Sequence, residues 1–93
     1  MDAIARARQL RQRAHDLRRL AEAIEASPVM HLDQHADVDT WSGTRPDLCR
    51  VTLATNQQQL HATADDLRGH AYRFEQQARE LEAVAQRQIG LAG

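Results

Sequence analysis

Alanine and leucine alternate through this chain on a seven-residue beat. In the second half, Leu53, Leu60, Leu67, Phe74 and Leu81 stand seven apart, and Ala64, Ala71, Ala78 and Ala85 are interleaved with them at the same interval. That is a heptad seam with alanine at position a and leucine or phenylalanine at position d. No proline falls inside it, and its one glycine is Gly69. The first half repeats the pattern, with Ala7, Ala14 and Ala21 at a, and Leu10, Leu17 and Ile24 at d. Ile4 and Leu20 widen that stripe to the roughly 100° of a core-facing helix. A small-plus-large seam of this length predicts an all-α fold of two long helices packed closely together.

Composition agrees. The chain is 42% hydrophobic but only 3% aromatic, which suits alanine-leucine packing and suits a sheet poorly. Its 93 residues make a single domain, 1–93. In an antiparallel pair, a positions layer against d positions of the neighbour, so every layer holds one small and one large side chain. A parallel pair would alternate Ala-Ala with Leu-Leu layers. The antiparallel hairpin is therefore expected. Two helices burying one stripe each seldom offset the entropy of ordering so many residues. Ile4, Leu20, Val51 and Val84 lie outside the seam and remain to bury against a second hairpin. The expected assembly is a four-helix bundle dimer, the partner being a second copy or a homologous helical-hairpin protein or domain. If Leu67 is buried, Leu67→Ala is expected to cost ~2–4 kcal/mol.

The boundaries follow from local signals. Arm one runs over 2–26 and stops near Ser27-Pro28, because the residue before proline is disfavoured in the α region. Val29, Leu32 and Ala36 continue at helical spacing, which predicts a short helix over 28–37. A turn over 39–45 breaks the period with Gly43 and leads into Pro46. Arm two spans 46–89, about 65 Å at 1.5 Å per residue. Gly90 and Gly93 predict a helix stop and a short tail over 90–93.

Charge and chemistry narrow the function classes. The net charge is −1, which gives no basic footprint for nucleic acid. The distribution is uneven: residues 1–20 hold six Arg against Asp2 and Asp16, and residues 21–50 hold six acids against Arg45 and Arg50. That asymmetry implies complementarity within the hairpin or between chains. Arg6, Arg8, Arg13, Arg19 and Glu22 form the polar face of arm one and read as solvated surface. No hydrophobic run approaches the ~20 residues needed to span a bilayer, so membrane insertion is not expected. The opening Met1–Arg8 segment is Arg-rich and lacks an apolar stretch, so Sec-dependent export is not expected either. The single cysteine, Cys49, reads as a small semi-buried apolar residue, with an intermolecular disulfide as the alternative. His31 and His35 share a helix face at i, i+4, half of many zinc sites, but no third ligand is in place. They read as surface or interface histidines. His15, His61 and His70 are scattered, and no nucleophile and base assemble from one hairpin. No catalytic residue, metal or cofactor is expected.

The turn adds a resemblance. Trp41-Ser42-Gly43 stands near the middle of the chain between two Ala/Leu arms. This resembles the WXG family, the small early-secreted-antigen-like helical hairpins exported by type VII secretion systems of actinobacteria and related bacteria. The resemblance implies a non-enzymatic protein that is a secretion substrate or an adaptor, acts through homo- or heterodimeric packing, and meets the secretion machinery. It implies a cytoplasmic protein before export and a secreted one afterwards. Family members often carry a Tyr followed four residues later by an acid as a further export signal. Here Tyr72 is followed by Gln76, a degenerate form of that signal. The departure points to a protein that leaves with a signalled partner or does not leave at all. A cytoplasmic helical dimerisation or regulatory module is the alternative function.

Overall fold

The computed structural model describes residues 2–32 and 46–92, and every secondary-structure element among these is a helix. Helix α1 covers Ala3–Glu25, a 3-10 helix covers Pro28–His31, and helix α2 covers Pro46–Ala92. α1 begins where Asp2 accepts the Ala5 N–H at 2.7 Å, placing a carboxylate at the positive end of the helix. It ends at Ala26, whose N–H donates back to Glu22 O at 2.9 Å. The stop comes from Pro28, which holds Ser27 extended at φ −59°, ψ 141° and removes a donor from the next turn.

The segment after the break is tighter than its spacing suggested. Its described part is one 3-10 turn, closed by Met30 N–H donating to Ser27 O at 2.9 Å, with Leu32 in the α region at its end. Ser27 makes no side-chain cap. The rest of the expected 28–37 helix, with His35, lies outside the described residues.

α2 is 47 residues long, about 70 Å at 1.5 Å per residue, and the molecule is a rod of 75 × 18 × 15 Å. Gly90 does not stop it: the helix runs on to Ala92. Glycine permits a left-handed cap residue but does not impose one, and an interior glycine costs a helix only about 1 kcal/mol.

α1 and α2 pack antiparallel along the predicted seam. Every alanine at an a position is buried; Ala21, Ala64, Ala71 and Ala78 have no exposed surface, and Ala7 and Ala14 are within 2% of none. Around Ala7, Leu10 and Ala78, the larger Phe74 and Leu81 pack at the margin, so small faces large as the antiparallel layering requires. The d positions behave differently. Leu10 and Leu53 are buried, but Leu17, Ile24, Leu60, Leu67, Phe74 and Leu81 are only half-buried. Alanine brings the two backbones close, and close backbones leave no room between them for a leucine, which spreads to the edge of the interface instead. Ile4 and Leu20 accordingly widen no core within the hairpin; they are 39% and 51% exposed. Each half-buried leucine realises only part of the ~1.5–3 kcal/mol that full burial supplies.

Candidate interaction surface

The two edges of the α1–α2 seam differ. One edge holds the heptad e positions. There Arg11 donates through Nε to Glu82 Oε1 at 2.9 Å, Arg18 pairs with Glu75, and Arg68 Nη1 donates to Glu25 Oε1 at 3.1 Å. Each step of seven residues along α1 is met by a step of seven back along α2, which fixes the antiparallel register. Among the described residues these three arginine–glutamate pairs form a ladder, and its third rung is inverted: the acid is on α1 and the base on α2. His61 Nδ1 also lies 3.3 Å from Glu25 Oε1, and Arg68 makes a second bond to Asp65 Oδ1 at 3.1 Å. The Arg68 guanidinium, then the His61 ring, lowers the Glu25 carboxyl below its ordinary value, and Glu25 in turn raises Arg68.

The other edge holds the g positions, and no such ladder closes it. Arg6, Arg13 and Leu20 hold the g positions of α1 and His70, Gln77 and Val84 those of α2, and Arg6 and Arg13 lie beside Gln77 and Val84. Two adjoining shallow grooves open there, sharing Arg6, Leu10 and Gln77; one continues to Leu81 and Val84, the other to Arg13 and Phe74. Among the described residues no carboxylate lies within ion-pair distance of Arg6 or Arg13. Leu20 and Val84 are 51% and 37% exposed. Leu10, Phe74, Leu81 and Val84 give this edge an apolar line, flanked by Gln9, Gln77 and Glu80 and by two arginines that make no ion pair among the described residues.

Further along the rod, Gln57 Nε2 donates to Val29 O at 3.0 Å and ties the 3-10 turn to α2. Gln57 occupies an a position, one heptad before Ala64. A long polar side chain replaces alanine where α1 has already ended.

The other expected sites fall as follows. The Trp41, Ser42 and Gly43 motif lies outside the described residues. Tyr72 is exposed on α2 well short of its C-terminus, with Gln76 half-buried one turn later. Cys49 is a free, half-buried thiol near the start of α2. His31 is half-buried in the 3-10 turn, and among the described residues no three His, Cys, Asp or Glu side chains gather in a metal-binding group. Val51 and Leu48 are exposed on α2. No helix among the described residues is long and apolar enough to cross a membrane.

The ladder was missed in the sequence, although its signal was there: Arg11, Arg18 and Glu25 recur at heptad spacing, and so do Arg68, Glu75 and Glu82. Reading those triplets against each other in reverse order matches every charge. The charge asymmetry is thus answered in part inside the hairpin, but by acids of α2 at 75 and 82 rather than by the acids of residues 21–50. No family model, no curated protein and no solved structure matches the chain.

Proposed function

We propose that this chain is a non-enzymatic, WXG-like interaction protein that works by pairing its hairpin with a second hairpin, its own copy or a homologue, into a four-helix bundle. In that role it is a type VII secretion substrate, or an adaptor that accompanies one. The observation that carries the pairing is the state of the d-position leucines. Leu17, Leu60, Leu67, Phe74 and Leu81 sit half-exposed beside a fully closed alanine seam, next to exposed Leu20 and Val84. A hairpin with its small residues buried and its large ones at the rim gains most by covering that rim with another helical surface. The secretion role rests on the Trp41-Ser42-Gly43 resemblance.

Light scattering on the purified chain, alone and mixed with hairpin proteins encoded beside it, tests the pairing. A chain that stays monomeric in every mixture contradicts it. Comparing culture filtrate with cell lysate in a host with an intact secretion system tests export. Retention in the lysate, even with neighbours co-expressed, favours the second reading, a cytoplasmic dimerisation or regulatory module. Gln76, standing where the family's export signal has an acid, is the observation on that side.

A further inference from the structure

The hairpin contains its own example of what an arginine pair at heptad spacing accepts. Arg11 and Arg18, seven residues apart on one edge of α1, are met by Glu82 and Glu75, seven residues apart on an antiparallel helix. Arg6 and Arg13 repeat that spacing on the opposite edge. There the facing α2 positions are Gln77 and Val84, and among the described residues no carboxylate, Glu80 of the groove wall included, pairs with either arginine. Between the two arginines and α2 lies the apolar floor of Leu10, Phe74 and Leu81. We infer that the Arg6–Arg13 edge is the half-ladder of a binding groove for an acidic amphipathic helix of another protein, one that lays its apolar stripe on Leu10, Phe74 and Leu81 and presents two carboxylates seven residues apart to the arginines.

This inference rests on the pairing function proposed above and names the partner's chemistry. A second copy fits the groove less well. The one heptad-spaced pair of glutamates that flanks a seam in the described chain, Glu75 and Glu82, is already held by Arg18 and Arg11. Glu80 lies at the groove wall, but the carboxylate one heptad beyond it in α2 would have to be at Arg73 or Arg87, both bases. Apolar contact supplies the attraction, and the two arginines select for acidic flanks and set the register.

The test uses the full chain and two synthetic helical peptides with an alanine-leucine seam, identical except that two flanking positions seven apart are Glu in one and Gln in the other. Fluorescence anisotropy is expected to show the Glu peptide binding about tenfold more tightly, an advantage that shrinks in high salt. Arg6→Gln/Arg13→Gln is expected to abolish that advantage, and Arg6→Glu/Arg13→Glu to transfer it to a Lys peptide. The helical melt of each variant should match that of the original chain, because neither arginine has an ion-pair partner among the described residues. Equal binding of the Glu and Gln peptides overturns the inference while leaving helical pairing intact. A homodimer that Arg6→Glu/Arg13→Glu dissociates also overturns it, since the groove then belongs to a second copy. A chain that binds neither peptide overturns this inference, whereas the pairing function falls only if the chain also stays monomeric in every light-scattering mixture.

Discussion

Arg68 and Glu25 form the inverted rung of the ladder, 3.1 Å apart, with base and acid exchanged relative to Arg11–Glu82 and Arg18–Glu75. The inversion selects one register. Sliding α2 by one heptad in one direction sets Arg18 against Arg68; sliding it in the other sets Glu25 against Glu75. A uniform ladder, with all bases on α1 and all acids on α2, would keep its remaining rungs attractive in either slip. The alanine seam repeats too regularly to make this choice alone.

Glu25→Arg is therefore expected to lower the melting temperature, and Glu25→Arg/Arg68→Glu to restore most of the loss. The double change restores attraction at this rung while making all three rungs alike in sense, so the double variant should be stable yet less strict in register. Thermal unfolding by circular dichroism checks the first part. Cysteine cross-linking between register-matched and heptad-slipped positions checks the second.

The seam makes a prediction about size. Ala71 has no exposed surface, so Ala71→Leu forces the helices apart and is expected to destabilise the hairpin by about 1–3 kcal/mol. Leu67 is only half-buried, so within an isolated hairpin Leu67→Ala should cost less than the 2–5 kcal/mol of a fully buried leucine. Chemical denaturation of the two variants gives the order directly. A larger loss for Leu67→Ala would mean that this leucine is covered by another chain in solution.

Gly69 lies mid-way along α2, where an added Cβ would meet only Arg73 Nη2, at an ordinary 3.9 Å. Gly69→Ala is expected to stabilise the chain by about 0.5–1 kcal/mol, through a stiffer unfolded backbone and better helix propensity. An upward shift of the denaturation midpoint at unchanged slope is the expected reading.

Gln57→Ala removes the hydrogen bond to Val29 O and should cost about 0.5–1.5 kcal/mol. Because that bond ties down the short turn, hydrogen exchange at Met30, whose N–H closes the turn, should quicken more than exchange in α1.

Acid should release the inverted rung. Glu25 has a folded value held below its ordinary 4.5 by Arg68 and then His61, so the unfolded chain binds a proton more readily. Its contribution to stability is fully present above the ordinary carboxylate value and is lost as pH falls through the folded one. Glu25→Gln should accordingly flatten the dependence of melting temperature on pH below about 4.5, with little change of slope near neutrality. An unchanged acid limb would mean that the Glu25 contacts with Arg68 and His61 do not persist in solution.

By itself the sequence determined that this protein is helical, where α1 breaks, that one long helix follows Pro46, and that small and large side chains meet along an antiparallel seam. Those features are written in periods of seven residues and in the backbone limits of Pro28, all of them local. Only the tertiary structure decided which leucines are covered. The depth of a d-position residue depends on how closely the alanines let two backbones approach, and that distance is a property of the pair. The same holds for the arginines. Arg11 and Arg6 read alike on a helical wheel, but the first pairs with Glu82 while the second lies beside Gln77, Glu80 and Val84 without an ion pair among the described residues, because the register of α2 sets heptad-spaced acids against one edge of α1 and not against the other.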